Sequence, residues 1–140
     1  MTTTIDRLAG VPLFRNLPKK SLERLQRVVA TRTFGSGEDI VKEGEIGSGF
    51  FLITEGAAEA VRGDTKLATY GPGDFFGEMA LLGNHPRSAT VRSTAGTTCL
   101  ALTRWDFVAE LRANPDLAVE MLEVMAARLR EADKRLAEHD

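Results

Sequence analysis

The chain has 140 residues, long enough for one ordinary domain with its own core. Hydrophobic residues make up 43% and charged residues 27%, the balance of a globular chain rather than a disordered one. With 18 basic and 20 acidic residues the net charge is −2, which leaves no general electrostatic footprint for nucleic acid. No stretch approaches the ~18 apolar residues of a membrane span. Met1–Gly10 carries Asp6 and Arg7 and has no long apolar run, so it does not read as a signal peptide. The cytosol is the expected address.

Residues 1–16 open on a polar tip and then bring Ile5, Leu8, Val11, Leu13 and Phe14. Pro18 begins a helix, because its missing N–H has no partner in a first turn. Leu22, Leu25, Val28 and Val29 share one face of that helix, with Lys19, Lys20, Glu23, Arg24 and Arg27 elsewhere. The basic cluster reads as a solvated face rather than a binding patch. From Thr31 the period shortens. Thr31–Phe34, Asp39–Lys42, Gly49–Thr54, Ala57–Arg62 and Lys66–Tyr70 read as strands, as do Ala89–Arg92 and Thr97–Leu102. Turn signals separate most of them, among them Gly35–Gly37, Gly44, Gly47–Gly49, Gly56 and Gly71–Gly73. Many short strands joined by glycine turns indicate a closed or double-sheet β structure. Cys99 is the single cysteine and sits in a strand, so it reads as a buried, inert thiol.

A helix resumes at Thr103, which can cap it with Asp106 three residues on. Trp105, Phe107, Val108 and Leu111 are expected to supply its apolar contacts. Trp105, Phe107 and Phe76 are assigned to core packing rather than base stacking, since nothing basic surrounds them. Asn114, Pro115 and Asp116 restart the chain as N-cap, first helical residue and first-turn acid. No Gly or Pro follows up to about Glu138. Ala118, Leu122, Met125, Leu129, Ala132 and Leu136 recur at alternating spacings of four and three. That seam suggests a partner helix and hence a homodimer, with a merely amphipathic helix as the alternative. Leu117, Met121 and Val124 form a neighbouring stripe expected to pack back on the β structure.

The richest stretch is Gly71–Ser93, GPGDFFGEMALLGNHPRSATVRS. Gly71–Asp74 is a turn, Phe76–Leu82 is apolar around a single acid, and Pro86 and Arg87 lead into a strand. A glycine before a short helical turn bares the turn's first N–H groups, which favour an anion. Arg87 can add a permanent charge and a planar fork of donors for the same anion. Glu78 at that mouth would repel a bare phosphate and makes better sense as an acceptor for a sugar hydroxyl. A phosphorylated sugar suits the set. The alternative is a tight corner whose Arg87 and Glu78 form only a surface ion pair.

FGEMALLGNHPRSATV resembles the phosphate-binding cassette of the cyclic-nucleotide-binding domain family, whose pattern is roughly F-G-E-x-A-L-L, a few residues, then P-R-(S/T/A)-A-T-V. Gly44 and Gly56 also fall where the family has structural glycines. The resemblance implies a mainly β, α+β fold: a double-stranded β-helix or jelly-roll barrel with N-terminal helices and C-terminal lid or dimer helices. It further implies one domain over 1–140, with a helical segment at 1–30, the barrel at 31–102, the cassette at 71–93 and C-terminal helices at 103–140. By the same resemblance Glu78 takes the ribose 2′-OH and Arg87 the cyclic phosphate. N–H groups around Gly77, Met79 and Ala80 complete the cradle, with Phe76, Ser88 and Ala89 beside it.

The start of the last helix and its Met125–Leu129 segment also resemble the dimer helix of the bacterial catabolite activators. There a Thr–Ser pair reads the adenine amino group; this chain has Ala132 and Asp133 instead, and only Asp133 can accept from an exocyclic amine. The expected ligand is therefore a 3′,5′-cyclic purine nucleotide, cAMP first, with cGMP permitted by the same logic. No other cofactor and no metal are expected. The implied function is a sensor that relays binding by shifting its C-terminal helix, without contacting nucleic acid or membrane itself. The alternatives are the sensor half of a catabolite-activator-type transcription regulator and a dimerisation module that binds nothing. An enzyme is not expected, because His85 and His139 are isolated and no base–nucleophile pair is visible.

Overall fold

The computed structural model describes residues 3–47, 49–83 and 85–138. Ser48 of the expected Gly47–Gly49 turn, Asn84 of the cassette and His139 lie outside the described residues. The chain separates into two compact units: a helical one, Met1–Gln26 with Ala109–Asp140, and a β unit, Arg27–Val108.

The β unit is a jelly roll of two four-stranded antiparallel sheets. Its strands are β1 (Ala30–Phe34), β2 (Asp39–Val41), β3 (Gly49–Glu55), β4 (Ala58–Arg62), β5 (Thr65–Tyr70), β6 (Phe75–Phe76), β7 (Thr90–Ser93) and β8 (Thr97–Thr103). One sheet runs in the order β1-β8-β3-β6 and the other β2-β7-β4-β5. Seven of these strands were expected within a residue or two. The exception is β6, whose two residues pair Phe51 with Phe76 and Leu52 with Phe75. Two residues are too short to show a period of two, so composition alone gives no strand signal there.

Phe50, Phe51, Leu52 and Ile53 of β3 are all buried, so this strand is covered on both faces. Phe51 and Ile53 join Phe34, Ile40, Val91 and Cys99 in the core between the sheets. The Phe51 ring stacks on Phe76 at 5.3 Å between centroids and meets Phe34 edge-on at 6.3 Å. Gly56, with φ +87°, turns β3 into β4. A Cβ there would lie 1.7 Å from the Gly96 carbonyl oxygen, so both the conformation and the close backbone approach demand glycine.

In the helical unit, α1 (Thr4–Ala9) starts with a full capping box between Thr3 and Asp6. Buried Val11, Leu13, Phe14 and Leu17 follow in a series of turns. The second helix, α2 (Lys19–Val28), buries Leu22 and Leu25. The long helix α4 (Pro115–Glu138) is tied to it by the Ser21 hydroxyl donating to Glu120 at 3.0 Å. The two expected stripes of α4 behave differently. Leu117 and Met121 are buried, whereas Leu122, Leu129 and Leu136 are 68%, 64% and 66% exposed.

Helix α3 (Arg104–Ala113) spans the junction of the units. The Asp106 N–H donates to the Thr103 hydroxyl at 3.1 Å, so Thr103 caps it as expected. Phe107 is fully buried. Trp105 corrects the expectation of an apolar anchor: it is 80% exposed. Two residues apart on a helix, Trp105 and Phe107 point to different faces, and only one of them can enter the core.

Burial pushes the Cys99 thiol up to about 11, with nearby Arg32 acting in the opposite direction. In the unfolded chain a thiol ionises near pH 8.5. The stabilisation from keeping Cys99 neutral is therefore complete below about pH 8.5 and is lost as pH rises toward the folded value. The stability of the parent relative to a Cys99→Ala variant should decline across that alkaline window in chemical denaturation; parallel profiles would show that the thiol is not held neutral by the fold. Gly56→Ala should cost roughly 3 kcal/mol in the same assay, and a loss below about 1 kcal/mol would mean that the Gly96 turn yields easily.

Candidate functional site

The cassette hangs from β6. Gly77, at φ +82°, ends that strand and caps a single 3-10 turn, Glu78–Leu81. The left-handed conformation explains the glycine. The Ala80 N–H donates to the Gly77 carbonyl at 3.0 Å, and the Leu82 N–H to the Met79 carbonyl at 3.1 Å. This corrects one expectation, because the Ala80 donor is already engaged within the turn. The N–H groups of Glu78 and Met79 come before any intrahelical carbonyl and are the donors that an anion would meet. In so short a turn those two groups matter more than a macrodipole.

Arg87 is positioned by backbone on both sides. Its N–H donates to the Glu45 carbonyl at 2.8 Å, and its own carbonyl accepts from the Gly44 N–H at 2.9 Å. The Gly47 N–H reaches the His85 carbonyl at 3.3 Å, and an isolated antiparallel bridge joins Ile46 to Pro86. The segment 44–47 is thus laced to 85–87, and Arg87 cannot drift along its loop. Its guanidinium is held as closely. Nη2 donates to the Gly49 carbonyl at 2.5 Å. A Cβ on Gly47 would fall 2.0 Å from Nε, and one on Gly77 would fall 2.4 Å from Nη1. Glycine at those two positions makes the slot that the side chain occupies.

Nε is buried and has no hydrogen-bond partner among the described residues. A buried charged donor without an acceptor is costly and marks the place where an acceptor fits. Burial lowers the Arg87 pKa from its ordinary value, yet a guanidinium stays charged at any physiological pH.

Phe76–Ala80 and Arg87–Ala89 line one cavity of about 280 Å³. Within it Ala80 and Phe76 are buried, Glu78 and Arg87 are half-buried, and Met79 and Ser88 are exposed at the mouth. The Ser88 carbonyl accepts from Arg62 Nε at 2.9 Å, which fixes the chain just after Arg87. Sequence reasoning missed the apolar walls of the cavity, Val41, Ala60, Tyr70 and Val91, which come from four strands. Their inward positions in the period-two pattern were the available signal. Tyr70 also packs its ring 5.5 Å from that of Phe76. The sequence marks Gly47 as a turn residue and Gly49 as a turn residue and strand start, with no sign of their role beside Arg87. The ninth candidate, Asp133, belongs to α4 in the helical unit and is exposed there.

Among the described residues no group of three His, Cys, Asp or Glu side chains is placed to hold a metal ion. Among the described residues no helix is long and apolar enough to cross a membrane.

A family model described as a cyclic nucleotide-binding domain matches residues 31–114, more than half of the chain. The chain is 34% identical over 134 residues to the cyclic AMP receptor protein of Thermus thermophilus, covering 92% of this chain and 62% of that protein. It is 33% identical over 129 residues to the cGMP-dependent protein kinase of Plasmodium berghei, covering 84% of this chain and 15% of that one. Both relatives are longer than the part that this chain spans. Among solved structures, the N-terminal domain of a transcriptional regulator from Streptomyces coelicolor superposes with a TM-score of 0.85. That match is 29% identical and covers 94% of this chain and 95% of the other.

A side chain at position 47 would compete with the guanidinium for the same space. Gly47→Val should therefore move the Arg87 Nε–Hε resonance in NMR spectra and lower the unfolding free energy by roughly 1–3 kcal/mol. An unchanged resonance would mean that Gly47 does not shape the slot.

Proposed function

This chain belongs to the cyclic nucleotide-binding domain family, and from that premise we propose that it is a sensor of a 3′,5′-cyclic purine nucleotide, cAMP before cGMP. The observation that carries the reading is Arg87, a half-buried cation that lines the same cavity as Glu78 and whose buried Nε has no acceptor among the described residues. The cyclic phosphate is the missing acceptor. Arg87 supplies its one formal positive charge, and the Glu78 and Met79 N–H groups donate from the other side. The Glu78 carboxylate accepts the ribose 2′-OH, and a carboxylate can do so only through its oxygens. Ser88 and Ala89 close the phosphate side, while Phe76 and the apolar walls take the less polar face of the nucleotide.

The Asp133 carboxylate, brought over from α4, accepts from the exocyclic amine of the base. Adenine and guanine both carry such an amine, so Asp133 alone ranks the two weakly. Relatives named for cyclic AMP and for cGMP are consistent with that. Binding is relayed by a change in the position of α4, to the extent that the nucleotide prefers one position over the other. The exposed seam of Leu122, Leu129 and Leu136 supports a homodimer through α4. No catalysis is part of this reading.

A second reading is favoured by the Streptomyces coelicolor neighbour, itself the N-terminal domain of a transcriptional regulator, and by the 62% span of the Thermus protein. On it, this chain is the sensor portion of a regulator whose DNA contacts are made by other residues. Both readings share the same ligand cavity.

Calorimetric titration with cAMP and cGMP tests the ligand. Arg87→Ala should weaken binding by roughly 100-fold or more, the cost of a buried anion left without its charged partner. Binding as tight as the parent's would remove the cassette from the reading, and no heat from either nucleotide would favour a dimerisation module. Asp133→Ala should weaken both nucleotides severalfold; affinities equal to the parent's for both take Asp133 out of base readout.

A further inference from the structure

The β unit contains another cavity, of about 260 Å³, close in size to the one beside the cassette. Among the described residues the two share Val41 and Arg87. The geometry around Arg87 explains how one side chain serves both. Nη1 lies against Gly77, which lines the cassette cavity, while Nη2 binds the carbonyl of Gly49, which lines the other. The Arg87 fork is therefore the partition between them.

The lining of this cavity has a definite chemistry. Its floor is apolar, formed by buried Ile40, Phe50, Phe51 and Leu102. Three cationic side chains, Arg32, Lys42 and Arg87, stand against two carboxylates, Glu45 and Asp106, an excess of one positive charge. A neutral apolar molecule would fill the floor and leave the cations and the buried Nε unmet. A phosphate dianion would face two carboxylates and gain nothing from the floor. One negative charge on a small apolar body matches both parts.

We propose that this cavity is a second ligand site, for a small organic carboxylate with an apolar body, and that its occupant opposes nucleotide binding through Arg87. Two anions held on opposite prongs of one guanidinium repel each other across a few ångströms of protein. The carboxylate also competes for the Nε–H. By linkage, the nucleotide weakens the carboxylate by the same factor. Direct binding of the carboxylate does not depend on the cyclic-nucleotide reading; only the antagonism rests on it.

The test uses sodium benzoate as the probe, with benzyl alcohol as its neutral counterpart and sodium chloride to hold ionic strength constant. Benzoate added to the full chain without nucleotide should shift the amide resonances of Phe50, Leu102 and Thr103, with a dissociation constant on the order of 1 mM. Benzyl alcohol should not, and Lys42→Glu, a change at the exposed rim, should weaken the benzoate shifts at least severalfold. Benzoate should also raise the dissociation constant of cAMP several-fold. Absence of shifts, equal shifts from benzyl alcohol, or shifts confined to Gly77–Ala80 and Ser88–Ala89 would overturn the second site. Benzoate binding with an unchanged cAMP affinity would overturn the antagonism. Benzoate binding in a chain that takes up no cyclic nucleotide would overturn the sensor reading and leave this cavity standing.

Discussion

A guanidinium carries five N–H donors and one charge, and a protein that half-buries one must say where each donor goes. The β unit answers for Arg87 with backbone rather than with carboxylates. Gly49 offers a carbonyl, Gly47 and Gly77 offer the absence of a Cβ, and residues 44–47 hold the arginine's own peptide groups. A carboxylate in the Gly49 position would have satisfied the fork and cancelled its charge. A carbonyl satisfies one prong and leaves the charge intact for an incoming anion. Several other features follow from this arrangement. The left-handed Gly77 begins the 3-10 turn, the Gly44–Gly47 segment needs its bridge to Pro86, and β3 must start at Gly49 for its carbonyl to be in place.

Much of the fold could be read in the residues because each long strand carries its own punctuation. Gly56 and Gly96 mark turns whose backbones nearly touch, and the alternation in Ala58–Arg62 distinguishes the inner face from the outer. The strand β6 was hidden for the opposite reason. Its two phenylalanines are defined as a strand only by their partners on β3, a long-range fact with no local trace. Trp105 departs from the expectation because apolar character is no sign of burial by itself; helical phase decides which of two nearby aromatics turns inward.

The candidate site divides along the same line. Glu78 and Arg87 stand out because charged residues in a glycine-rich apolar segment need a purpose. The apolar walls Val41, Ala60, Tyr70 and Val91 looked like ordinary strand residues, and they line the cavity only once four strands are brought side by side. The slot of Gly47 was equally hidden. Three glycines between 44 and 49 are visible in the chain, but that one of them makes room for a side chain some 40 positions later is a tertiary fact.

Phe76 occupies an unusual place in this scheme. It is stacked between Phe51 and Tyr70 in the heart of the jelly roll, and it is also a wall of the cassette cavity. No layer thus separates the core from this cavity. Any molecule resting on that ring adds dispersion contacts to the same aromatic stack that holds the two sheets together. A repacked ring would alter what fits the cavity even if every charged residue kept its position. Variation at Phe51 or Tyr70, neither of which carries a charge, is a route by which such a protein can change its ligand preference.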